Sequence, residues 1–169
     1  CDDPQESESL AALLDQLNTE RKAAENAIMQ QIDQKLREEP SLLHARVLVL
    51  AGEGWHPGVI GILAARLVER FGKPCFLLSV EGDTARGSAR SVGDCSVYQC
   101  LHAASGVLTH WGGHKGAGGM TLSAADLPEF DRLVQQYARE QFPVMPVPEL
   151  SAVLLPPALY TPKQAAGLE

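Results

Sequence analysis

A chain of 169 residues that is 45% hydrophobic and 21% charged can fill one core with appendages, not two full domains. Aromatic residues make up 5%, so the core must be aliphatic, and no apolar run approaches the roughly 18 residues of a membrane span. A net charge of −7 argues against a uniformly basic nucleic-acid protein. The charge is unevenly placed, however. Residues 1–39 hold ten acids and four bases, while between Thr84 and Met120 the single acid Asp94 is set against Arg86, Arg90 and Lys115. Cys1, Cys75, Cys95 and Cys100 form no C-x-x-C pair and fit neither a zinc site nor a disulfide scaffold, which predicts reduced thiols in a cytoplasmic protein. The opening is acidic and polar rather than that of a signal peptide. The first residue is not Met, and Leu168-Glu169 looks like a cloning remnant, so an excised segment is expected.

In chain order, Leu10, Leu14, Leu17, Ala24, Ile28, Ile32 and Leu36 draw a narrow apolar stripe that predicts one long helix over Ser7–Glu38, ended by Pro40. Its other faces are charged, as in a helix that connects two domains; residues 1–42 are assigned to it. Arg46–Ala51 reads as a buried strand, and Gly58–Phe71 as a helix stopped by Gly72. Strands at Pro74–Val80 and Thr84–Ser91 come next. They precede a helix over Ser96–Leu108 capped by Ser96, a glycine-rich stretch, and a strand at Met120–Leu122. A helix beginning at Ser123 or Asp126 and reaching Gln141 ends the series. The order β-α-β-β-α-β-α predicts an α/β domain with a mixed sheet over residues 43–142. Residues 143–169 are rich in proline and read as a linker, with one strand at Glu149–Leu155.

Three short stretches carry the chemistry. In Gly54–Gly61, Pro57 at a helix start leaves first-turn N–H groups for an anion, with His56 beside them; alternatively His56 only caps the turn. In Gly87–Ser91, strand alternation sends Arg86, Ser88 and Arg90 to one face. This set suits a phosphodiester or, more plainly, a solvated strand face. In Gly112–Gly119, five glycines surround His114 and Lys115, two donors for an oxyanion on a backbone that must bend sharply or approach a ligand. A flexible loop is the plain alternative. His110 and His114 have metal-ligand spacing, but the intervening Trp-Gly-Gly argues against a helix and no third ligand stands near. The three turns are expected to converge on one pocket that grips an anionic backbone.

The stretches GWHPGVIGILAARLVERFGKPCFLL, GSARS and WGGHKGAGGMTL, in that order behind a long helix, closely resemble the DHH-associated domain of RecJ-type single-strand-specific exonucleases over about residues 7–142. The resemblance implies a chain that also contains a catalytic DHH domain and an oligonucleotide-binding domain. In that family the DHH domain binds Mn²⁺ or Mg²⁺ to activate water, whereas the domain seen here holds single-stranded DNA. The Asp-His-His triplet is absent, so neither metal nor catalytic residue is expected in this segment. Carried over to matching positions, Arg90 and His114 contact phosphate, with the Gly112-Gly113 backbone close to the nucleotide. Ser88, Ser91, His56, Lys115 and Arg86 are further candidates. Ala89 replaces the family's more frequent glycine, and Lys115-Gly116-Ala117 replaces its Met-Ala-Ala. Two other readings share these residues: a DHH-type oligoribonuclease or nucleotide phosphatase, and a binding module with no enzyme attached.

Overall fold

Residues 4–142 are described by the computed structural model; the proline-rich tail, its expected strand and the two terminal residues lie outside them. Helix α1 runs Pro4–Glu38, about 52 Å at 1.5 Å per residue. Its apolar stripe divides in two. Ile28, Ile32 and Leu36 are buried against the rest of the chain, whereas Leu10, Leu13, Leu14 and Leu17 stay about half or more exposed.

The remaining elements are β1 (Leu48–Glu53), α2 (Pro57–Phe71), β2 (Cys75–Glu81), β3 (Thr84–Arg90), α3 (Val97–Ala103), β4 (Leu108–Gly113), β5 (Ala117–Ser123) and α4 (Leu127–Gln141). The sheet order is β1-β2-β3-β5-β4, with β1 parallel to β2 and the other pairings antiparallel. The mixed α/β sheet read from the sequence is thus the observed fold.

Alternation divides the sheet into two faces. Phe76, Leu78, Ala85, Ala89, Met120 and Leu122 point to α3 and α4, where Leu101, Phe130 and Val134 close one core. Leu48, Leu50, Cys75 and Leu77 point the other way, to α2 and the buried half of α1. At the β1 edge, Gln135 of α4 donates to the Val47 carbonyl at 2.7 Å and accepts from its N–H at 3.3 Å, so a side-chain amide replaces a neighbouring strand.

Two expectations need correction. The helix expected over Ser96–Leu108 stops at Ala103, although Ser96 does cap it by accepting from Gln99 N–H at 3.3 Å. Leu108–Gly113 is then a strand, β4, so the order is β-α-β-β-α-β-β-α. Its Leu-Thr-His-Trp-Gly-Gly sequence shows no clean alternation, because as an edge strand it buries little; pairing with β5 decides its conformation.

The buried half of α1 is clamped by polar groups as well as by apolar ones. Glu25, 2% exposed, sits between Arg21 of its own helix and Arg66 of α2, at 2.6 Å from the latter. Asp33 meets Arg70 of α2 at 2.6 Å, Gln31 accepts from the Trp55 indole at 2.8 Å, and Lys35 donates to the Ala51 carbonyl at 2.8 Å. Both arginines on Glu25 are well exposed, so solvent screens part of their attraction, but the carboxylate itself is buried. Glu25→Ala should therefore cost about 1–3 kcal/mol of stability by urea titration. An unchanged midpoint would show that α1 docks through its apolar stripe without this ion cluster.

Candidate nucleic-acid interface

The polar row expected on β3 is formed. Arg86, Ser88 and Arg90 lie opposite Ser79, Leu77 and Cys75 of β2, on the α2 side of the sheet, while Ala85 and Ala89 fill the opposite core. The Arg90 guanidinium lies back along its strand, donating through Nη1 to the Ala89 carbonyl at 2.8 Å and to Ser88 Oγ at 3.3 Å. Among the described residues no carboxylate pairs with Arg86 or Arg90. A half-buried guanidinium with one nitrogen fixed and its other donors uncommitted is a preorganised receptor for an oxyanion.

Gly61 of α2 makes this arrangement possible, and the sequence reading missed it. A Cβ at that position would stand 3.0 Å from Ser88 Oγ and 3.2 Å from Arg90 Nη2, so glycine lets the helix come down closely on the row, and a bulky side chain would not fit without moving those groups. The signal was available: Gly61 inside a helix costs helix propensity and marks close packing at that point.

The glycine-rich stretch is a hairpin rather than a loop. Gly112 and Gly113 end β4, Gly118 and Gly119 belong to β5, and His114, Lys115 and Gly116 turn between them. The His114 N–H donates to the Ala117 carbonyl at 2.8 Å, and its ring Nδ1 accepts from Gly116 N–H at 3.2 Å, which leaves Nε2 as the outward nitrogen. Gly113 has φ 151°, and a Cβ there would stand 2.4 Å from the Ala117 carbonyl oxygen. The turn is bound to the segment after β3, since Ser91 N–H donates to the Gly116 carbonyl at 3.0 Å and Val97 N–H to that of Lys115 at 2.9 Å. Because Ala117 is the register partner of Arg90, the His114 turn stands at the Arg90 end of the row.

Beyond β3, no described residues cover the same face of the sheet. Gly119 and Thr121 of β5 and His110 and Gly112 of β4 share the side of Arg86 and Ser88. A Cβ at Gly112 would meet nothing within 4 Å, and α2 lies over β2 and β3. The result is a shallow open floor with bare backbone beside two guanidinium groups that no carboxylate among the described residues neutralises.

Other candidates have partners already. His56 caps α2: its Nδ1 accepts from Gly58 N–H at 3.1 Å, and its carbonyl accepts from Val59 and Ile60. Pro57 has no N–H, so the first turn retains no free amide for an anion, contrary to expectation. The Ser91 hydroxyl donates to the Cys95 carbonyl at 2.7 Å and braces its loop. Lys115 pairs with Asp94 at 3.1 Å, and both are well exposed, so the pair contributes little. Nor do the three motifs meet at one point. The start of α2 lies at the Arg86 end, where Pro57 and Arg86 line one recess, and the hairpin lies at the Arg90 end, about 13 Å along a strand. They border a strip.

Cys95 and Cys100 lie with their sulfurs 3.8 Å apart in the core under α3. The hydrogen bond between them, reinforced by burial, pushes the Cys100 thiol up. Among the described residues no group of three or more His, Cys, Asp or Glu could hold a metal ion, and no helix is long and apolar enough to cross a membrane.

Residues 40–140, from the turn after α1 to the last turn of α4, match the DHHA1 domain model. The chain belongs to the DHHA1 domain family. The chain is 36% identical over 139 residues to the single-stranded-DNA-specific exonuclease RecJ of Bacillus subtilis, covering 81% of this chain and 17% of that protein. The structure is similar to RecJ of Thermus thermophilus in complex with Mn²⁺, with a TM-score of 0.78 and 34% identity over 92% of this chain and 22% of that one. It is likewise similar to the same protein in complex with Mg²⁺, with a TM-score of 0.76 and 32% identity over 94% of this chain and 24% of that one. The chain thus spans about a fifth of the length of these relatives.

Two glycines of this DHHA1 domain should respond oppositely to alanine. Gly61→Ala gains helix propensity of about 1 kcal/mol and meets only the ends of two side chains, so Tm should hold or rise. Gly113→Ala meets backbone at an unfavourable φ and should lose about 1–3 kcal/mol. Thermal denaturation of both variants checks the contrast; equal losses would mean that α2 and β3 cannot yield at all.

Proposed function

We propose that the strip bordered by α2 and the β4–β5 hairpin holds the phosphodiester backbone of single-stranded DNA, and that the chain is the strand-gripping part of a RecJ-type 5′-to-3′ exonuclease. One observation carries the reading. Arg86, Ser88 and Arg90 line up along the margin of an open face, the arginines free of carboxylates among the described residues, with the His114 turn at the end of the row. The overall charge of −7 does not oppose this, because ten of the 21 acids precede residue 40. The kinship with single-stranded-DNA-specific exonucleases supports the choice of ligand.

In this reading the chain performs no bond cleavage by itself. RecJ of T. thermophilus has been solved with Mn²⁺ and with Mg²⁺, and such ions activate water for hydrolysis. No group of described residues fits such a metal, so no catalytic step is assigned to them. Their part is to position the strand: Arg90 and Ser88 donate to phosphate oxygens, His114 offers Nε2 from the end of the row, and the glycine backbone lets the sugar-phosphate chain approach.

Arg90→Ala should weaken binding of a short 5′-phosphorylated single strand by the full-length protein by roughly 1.5–3 kcal/mol, the range of a hydrogen bond to a charged group. The slope of log affinity against log salt should fall by about 0.7, the increment for one single-strand phosphate contact. Unchanged affinity and slope would remove Arg90 from the interface. His114→Ala should lower turnover of the full-length enzyme while Tm stays within a degree or two, about the shift of a minor surface change. A large fall in Tm would make the imidazole a structural part of the hairpin instead.

A further inference from the structure

A second site lies at the other end of the row. Where α2 begins, Pro57, Ser79, Glu81, Thr84 and Arg86 line a recess of about 140 Å³. Ser79 is 2% exposed, and its hydroxyl oxygen, closed off from bulk water, has no hydrogen-bond partner among the described residues. Its position explains the burial without explaining the hydroxyl. Ser79 stands on the α2 face of β2 directly opposite Arg86, at a point where β2 carries Cys75 and Leu77 on the same side. Packing there calls for an apolar residue, and a serine without a partner is a cost unless something supplies one. Among the described residues Glu81 forms no ion pair with the Arg86 guanidinium, nor does any other carboxylate.

We infer that this recess takes a nucleobase of the bound strand, with Ser79, Thr84, Arg86 and Glu81 reading its edge. The inference rests on the reading of Ser88 and Arg90 as a phosphate site. Three features favour a base over a further phosphate. The recess offers an acceptor, Glu81, beside donors on Arg86, Ser79 and Thr84. A base edge presents both donors and acceptors, as in arginine on guanine and carboxylate on the cytosine amino group, whereas a phosphate presents acceptors and is repelled by Glu81. The first-turn amides of α2, which would otherwise bind an anion, are already used by His56. Size agrees as well, because a cavity of about 150 Å³ takes one benzene ring. A single ring of pyrimidine size fits and a whole nucleotide does not. Along β3, Arg86 is two residues from Ser88, roughly 7 Å, the order of the distance from a nucleotide's phosphate to its base.

The test uses the full-length protein without added divalent metal, so that the strand is not consumed. Short 5′-phosphorylated DNA strands, each with one nucleotide replaced by an abasic tetrahydrofuran residue, are compared by fluorescence anisotropy. Ser79→Ala and Thr84→Val change no charge, and Ser79→Ala removes an unpaired hydroxyl, so its Tm should not fall. Each should weaken the intact strand about two- to tenfold, the range of one neutral hydrogen bond. Neither should weaken further the strand that is abasic at one particular position, and that strand should already bind wild-type protein less well. Arg90→Ala should weaken all strands alike. If Ser79→Ala and Thr84→Val weaken every strand equally, the recess holds backbone and the base assignment is wrong; if they weaken none, the recess holds nothing. If Arg90→Ala changes no strand, the phosphate reading fails first and the base pocket with it.

Discussion

The close approach of α2 to β3 at Gly61 is the contact on which the candidate interface depends. A methyl at that position would stand 3.0 Å from Ser88 Oγ and 3.2 Å from Arg90 Nη2, and a larger side chain would enter the space in which Arg90 folds back on Ser88. The arrangement is unfavourable for the helix, which carries two glycines in its first five residues, yet the buried faces of Val59, Ile60, Leu63, Leu67 and Val68 hold it down. An exposed arginine would sample many rotamers and lose that freedom on binding. One held between a helix and its own strand has already lost it.

The clamp on α1 extends the same rigidity outwards. Glu25 and Asp33 reach the two arginines of α2, while Gln31 and Lys35 reach Trp55 and the β1 backbone, so the buried half of α1 is fastened to α2 and β1. Displacement of the long helix would therefore be felt at the helix that covers Arg90. The exposed leucines at positions 10, 13, 14 and 17 lie beyond this clamp, on the half of α1 that touches none of the sheet.

The two ends of the β3 row differ in chemistry, and the difference follows from their neighbours. At the Arg90 end the surroundings are a hairpin of glycines and a histidine held by its own turn, a setting of donors and bare backbone. At the Arg86 end the surroundings are hydroxyls, a carboxylate and a capped helix. A polyanion placed along β3 therefore meets a purely donating site at one end and a mixed one at the other.

Local signals in the sequence determined most of the elements, since periodicity, caps and stop residues act over a few positions: α1, α2, β2, β3 and α4 lie within a few residues of their expected bounds. Alternation likewise sufficed to place Arg86, Ser88 and Arg90 on one face. Tertiary structure decided the rest. Strand β4 exists because β5 pairs with it, and no local pattern in Leu-Thr-His-Trp-Gly-Gly could show that. His56 and Ser91 read equally well as free donors until their partners, Gly58 and Cys95, came into place. The separation of the three motifs along a strip, and the unpaired Ser79 beside Arg86, depend on sheet order and register. Those are set by which faces bury together, not by any residue's neighbours in the chain.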